Sequence, residues 1–158
     1  MRKASLRALA AAAIVPLAIT ATAAASTGTE HFSFIQITNG NSNVYSAIAT
    51  GAFTAGGTAS LPQGSGTLHF KGGTIKITDK PSGAVKMHVD SSTCLGTFDG
   101  VGTYQVVGGT GSYAGISGSG KFTNKGTVVF ARVGGKCSQN STDASQDVIK
   151  ASGPVSLP

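Results

Sequence analysis

The chain has no tryptophan, a single glutamate and only two cysteines, and just 11 % of its residues are charged. Each shortage excludes something. Without tryptophan, and with aromatics at 6 %, there is no run of rings on which the bases of single-stranded nucleic acid could stack. One glutamate and few leucines remove the residues that best support helices. Two cysteines are too few for a disulfide-dense scaffold or a cysteine-rich zinc site. After residue 25 no apolar run approaches the length needed to span a bilayer, so stable membrane insertion is not expected.

The first 25 residues, MRKASLRALAAAAIVPLAITATAAA, differ from the rest. Arg2, Lys3 and Arg7 precede an apolar stretch at 8–19, and Ala23 and Ala25 stand at −3 and −1 of a small-residue cleavage site before Ser26. That is the pattern of a secretory signal peptide, which makes residues 26–158 the mature domain and predicts an extracellular protein. Its removal leaves nine basic residues against six acidic ones, a balance of +3. The remaining lysines are scattered along the chain, so no nucleic-acid partner is indicated. In an oxidising compartment Cys94 and Cys137 are expected to form a disulfide.

All 23 glycines lie in the mature part, between segments that alternate with period two. HFSFIQIT places Phe32 and Phe34 on one face and Ile35 and Ile37 on the other. NVYSAIATGAFTA places Tyr45, Ala47, Ala49 and Phe53 together, and AGGT at 55–58 reads as a turn. GTLHFKGG, GTIKITD and AVKMHVD oppose Leu68, Phe70, Ile75, Ile77, Val85, Met87 and Val89 to polar neighbours. Between the last two, DKPSG is a turn in which Pro81 fixes φ and Gly83 supplies the positive φ. The pattern predicts seven to nine strands, with one helical turn at most, over 138–146: an all-β fold. Glycines inside strand-like runs, at 51, 96, 100, 102, 118 and 120, suit a sheet that must curl, which favours a barrel over a sandwich.

The stretch GTGSYAGISGSGKFT at 109–123 spells two nucleotide motifs. Residues 115–122, GISGSGKF, match a P-loop until Phe122, which replaces the hydroxyl that would ligate magnesium. Residues 109–114, GTGSYA, fit a relaxed dinucleotide fingerprint. Both motifs work at a helix N-terminus, and neither is followed here by a helical pattern. The glycine loop is therefore read as structural.

Residues 104–120, YQVVGGTGSYAGISGSG, resemble the signature of the allene oxide cyclase-like and dirigent-like barrel superfamily, especially its small secreted bacterial members. ATGAFTAGGT at 49–58, Thr93-Cys94-Leu95, GGKCS at 134–138 and the ending ASGPVSLP fit the same picture. The resemblance implies an eight-stranded antiparallel β-barrel with an apolar interior, binding of a small hydrophobic molecule, and a dimer or trimer. It also implies that Tyr113 packs its ring over one barrel end. No catalytic residue carries over position by position. Asp99, Tyr104 and Arg132 are of the right chemical type, but Asp99 reads as a bulge or turn residue and Arg132 as a strand-end charge.

His31, His69 and His88 lack the supporting ligands of a metal site, and no metal or other cofactor is expected. The residues expected to line a lumen are Tyr45, Phe53, Phe70, Met87, Phe98, Tyr104, Phe122 and Phe130. The function indicated is capture of a small hydrophobic molecule without turnover. Two alternatives stay open: an isomerase or cyclase that orients a reactive substrate, and a structural or surface-interaction module whose core is filled.

Overall fold

The computed structural model describes residues 26–37 and 43–158; the expected signal peptide at 1–25 lies outside the described residues. Alternating burial organises nearly all that is described. The strands are β1 (Ser26–Gln36), β2 (Val44–Thr50), β3 (Ala55–Ser60), β4 (Ser65–Phe70), β5 (Gly73–Pro81), β6 (Lys86–Asp90), β7 (Leu95–Gly109), β8 (Ser117–Val133) and β9 (Lys136–Leu157). Among the described residues the one helical segment is a 3-10 turn at Gly111–Tyr113.

All strand pairs are antiparallel, in the order β5-β4-β3-β2-β1-β9-β8-β7-β6, and β5 also pairs with β7. That last pairing joins the two flanks of the sheet and closes eight strands into a barrel. The closing seam matches Ile77 with Val106 and Asp79 with Tyr104, with a register shift between Lys76 and Ile77. Closure removes the free sheet edges along the barrel. β6 stands outside the ring, paired to the first residues of β7, Met87 opposite Phe98 and Val89 opposite Gly96.

The two chain ends are stitched together. β1 pairs with β9 from Ser26↔Leu157 to Ile35↔Val148. Phe32, Phe34, Tyr45, Ala47, Leu68 and Ile75 are buried in the barrel core, whereas Ile35 and Ile37 face outward, as the alternation predicts. A second, smaller core holds Cys94, Val128 and Phe130. It lies where β7, β8 and β9 run past the ring, and the Cys94–Cys137 disulfide, with Cα atoms 5.2 Å apart, fastens it.

Three local expectations are corrected. DKPSG at 79–83 is not a turn throughout: Asp79, Lys80 and Pro81 extend β5 against Tyr104, Thr103 and Gly102, and the chain leaves the sheet only at Ser82 and Gly83, the latter at φ +88°. AGGT at 55–58 is inside β3, not in a turn; the chain instead bends at residues 51–53, with Gly51 at φ +137°. Gly57 lies opposite Phe70, and a Cβ on Gly57 would collide with the His69 carbonyl oxygen, so close approach of β4 explains the glycine. Residues 138–146 contain no helical turn; β9 runs through them as one strand.

Candidate functional site

One barrel end is plugged by aromatics. Gly51 bends the chain after β2 so that Phe53 folds back over the ring, and the 3-10 turn delivers Tyr113 from the other side. Their ring centroids are 5.3 Å apart, and Phe70 completes the cluster at 5.9 Å from Tyr113 and 6.4 Å from Phe53. Gly111, at φ +60°, makes the turn feasible, since a Cβ there would collide with the Gly72 carbonyl oxygen. The glycine-rich loop that spells nucleotide motifs is thus the frame of a hydrophobic stopper.

Beneath the stopper sits Glu30, fully enclosed at 0 % exposure. Its Oε2 accepts a 3.0 Å hydrogen bond from the Phe53 N–H, which ties the bend to β1. Its Oε1 has no partner. Burial pushes the Glu30 carboxyl above its ordinary value, against the lowering pull of the Phe53 and His31 N–H groups.

The other end is open. A cavity of about 290 Å³ penetrates the lumen, walled by Phe32, Phe34, Leu68, Ile77, Phe122 and Ala151. Its mouth is rimmed by Pro62, Gln63, Gly83, Val85 and Val101, all of them exposed. Eight strands enclose just enough space for one small ligand or a filling of side chains. Here Ala151 and Gly100 are small residues of the lining.

Polar side chains break the apolar wall. Tyr104 is 5 % exposed, its ring edge-on to Phe32 at 6.0 Å, and its hydroxyl has no partner. Burial, then the negative charge of Glu30, hold that hydroxyl's pKa up at about 12. Tyr45 donates a 3.2 Å hydrogen bond to Asp147 Oδ2; burial and that neighbouring carboxylate raise its pKa. Asp147 itself is pushed up by burial, opposed by hydrogen bonds from Asn124 and Tyr45. Asn124 lines the cavity beside them. Asp79, opposite Tyr104 across the closing seam, also lines it and is raised by burial, the Gly64 N–H opposing.

Of the residues expected in the lumen, the cavity brings together Tyr45, Tyr104 and Phe122. Phe53 and Phe70 form the stopper. Phe130 belongs to the second core. Phe98 covers Gly126 on the extension, and Met87, on β6, is 50 % exposed. Neither Asp99 nor Arg132 reaches the cavity. Asp99 is no turn residue: it stands mid-strand on the outer face, opposite Lys125, in a 3.5 Å ion pair. Arg132 bonds the carbonyls of Ser92 (2.6 Å) and Gly135 (3.2 Å) at the strand end.

Sequence reasoning did not single out Asn124 or Asp147, set Glu30 aside as a first-turn residue and placed Asp79 in the DKPSG turn; Glu30 is instead buried in β1 and Asp79 lies within β5. The signal existed, because each continues the inward phase of an apolar series: Glu30 with Phe32 and Phe34, Asp79 with Ile75 and Ile77, Asn124 with Phe122, Asp147 with Ile149 and Ala151.

Fold and site together define an eight-stranded antiparallel β-barrel, stoppered at one end and open to an apolar cavity at the other. Compared with family models, with curated proteins and with solved structures, the chain matches none of them.

Proposed function

We propose that this is an exported barrel that captures one small, predominantly hydrophobic molecule in its lumen and does not transform it. The observation that carries the reading is the one-ended cavity of about 290 Å³ with aromatic and aliphatic walls, a form typical of small-molecule sites. Export is supported by the signal-like N-terminus and by the disulfide. Capture without turnover is supported by the outward positions of Asp99 and Arg132. The resemblance to cyclase-like and dirigent-like barrels belongs to the same proposal, and a partly hollow interior favours capture over a module with a filled core.

Titration with a neutral lipophilic fluorophore tests this. The protein should bind it saturably with one-to-one stoichiometry. Ala151 faces Phe122 and Phe32 on the neighbouring strands, so Ala151→Phe should fill the lumen and abolish the signal while the β-sheet circular dichroism persists. Fluorescence that never saturates, or that survives Ala151→Phe unchanged, would place the binding elsewhere and defeat the proposal.

A further inference from the structure

The cavity wall has a one-sided charge. None of its lining residues is Lys, Arg or His, whereas Asp79 lines it directly. Asp147 lies behind Tyr45, hydrogen-bonded to its hydroxyl, and its Oδ1 has no partner. The lysines of this end are engaged elsewhere or point away. Lys86 and Lys125 are the two cross-strand neighbours of Asp99 on the outer face, and Lys80, in outward phase, is exposed. A protein with a positive overall balance has thus kept cations out of its lumen.

A carboxylate in a partly apolar site attracts a cation more strongly than one in water, and it repels an anion by the same measure. Asp79 receives a backbone N–H from Gly64, and burial still raises its pKa, so its charge is under-compensated. A second and independent feature lies in the same cavity. Tyr104, directly across the seam from Asp79, is more than nine-tenths buried and lines the cavity with a hydroxyl that has no partner. Buried polar atoms are nearly always satisfied; a ligand that brings a hydrogen-bonding group into the cavity would satisfy this one.

Resting on the capture reading above, we infer that the ligand class is hydrophobic amines: an apolar body held by Phe32, Phe34 and Phe122, and a protonated nitrogen donating to the Asp79 carboxylate, in a cavity whose wall also carries the unpartnered Tyr104 hydroxyl. Alcohols of the same body bind more weakly, and carboxylates most weakly of all.

The test is displacement of the neutral fluorophore from the purified protein by decylamine, 1-decanol and decanoate, which share one chain and differ in head-group charge. Decylamine should displace at about tenfold lower concentration than 1-decanol, the scale of one partly desolvated charge contact, with decanoate weakest. Asp79→Asn should bring the amine to the level of the alcohol and leave the alcohol unchanged. If decylamine is no better than 1-decanol, or keeps its advantage in Asp79→Asn, the amine assignment is wrong while the capture reading survives. If none of the three displaces the probe, and the probe itself fails to bind saturably, both readings fall. The wild-type ranking decides even where the variant does not fold.

Discussion

At the scale of single residues, Glu30 is the most completely buried charged side chain among the described residues, at 0 % exposure. An enclosed carboxyl with one bonded and one orphaned oxygen costs about 1–3 kcal/mol for the unsatisfied group. Its folded-state pKa is raised, so the fold prefers the neutral acid. Glu30 then favours the fold fully below the ordinary carboxyl value of 4.5, and this contribution is lost as the pH climbs through the raised folded value. Asp79 and Asp147 act in the same direction. Exposed Asp90, whose carboxylate is lowered by hydrogen bonds from Ser92, acts in the opposite one. Replacing Glu30 by Gln deletes one proton-linked term while keeping the acceptor for the Phe53 N–H. Thermal unfolding of wild type and Glu30→Gln should therefore give similar midpoints near about pH 4. By about pH 8 the wild type should have fallen behind by several degrees, at roughly 4 °C per kcal/mol for a domain of this size. Parallel midpoint curves would show that Glu30 does not titrate against its burial. A lone charge at the start of a strand looks like solvated surface until the inward phase of Phe32 and Phe34 is extended backwards through it.

At the scale of elements, β7 and β8 show how a barrel wall made of glycine and aromatics is packed. Their register sets Phe98 opposite Gly126, Gly102 opposite Phe122 and Tyr104 opposite Gly120, so each large ring lies across a neighbour that has no side chain. The strands can curl tightly there, and the rings cover the exposed backbone, an arrangement that pins register. A Cβ on Gly120 would sit 2.6 Å from the Tyr104 ring, and one on Gly126 would overlap Phe98 and approach Asp147 Cβ to 2.8 Å. Gly100 differs: its nearest side-chain atoms would be 3.7 and 3.8 Å away, an ordinary contact. Gly126→Ala should cost about 1–3 kcal/mol as overpacking. Gly100→Ala should be neutral, or stabilising by about 0.4–1 kcal/mol through the restricted unfolded chain. Urea unfolding of the two variants side by side decides it, and equal losses would discredit the ring-over-glycine account. This pattern also marks what could be read in advance. Interior glycines in period-two runs signal curvature, and the curvature was legible. Which ring covers which glycine depends on register between strands, and no single strand carries that information. AGGT at 55–58 is the clearest case: without Phe70 opposite Gly57, a pair of glycines looks like a turn.

At the scale of the whole molecule, strand length separates a barrel from its extension. β2 has 7 residues and β7 has 15, about 23 against 50 Å at the rise of an extended strand, so β7, β8 and β9 must overshoot the ring. Alternation reports that a strand has a buried face but not what buries it. That is why Met87 and Phe98, apolar and in phase, were expected in the lumen although β6 and the start of β7 stand outside it. The ring is held by two seams that exclude the overshoot: β5 with Pro81↔Gly102 through Ile75↔Gly109, and β1 with residues 148–157 of β9. The extension relies on its small core and on the disulfide. The bond spans 43 residues of sequence, for which loop closure alone is worth about 4 kcal/mol on the chain-entropy model. Because neither seam passes through Cys94 or Cys137, reduction should loosen the extension and spare the ring. Hydrogen exchange of the reduced protein, or of the Cys94→Ser/Cys137→Ser variant, should rise across 86–99 and 127–146 and stay at wild-type levels in β1 to β4. The lumen should still bind the neutral fluorophore. Loss of protection in β1 or β2 on reduction would mean instead that the clamp holds the barrel shut, and that closure of the sheet depends on a covalent bond lying outside it.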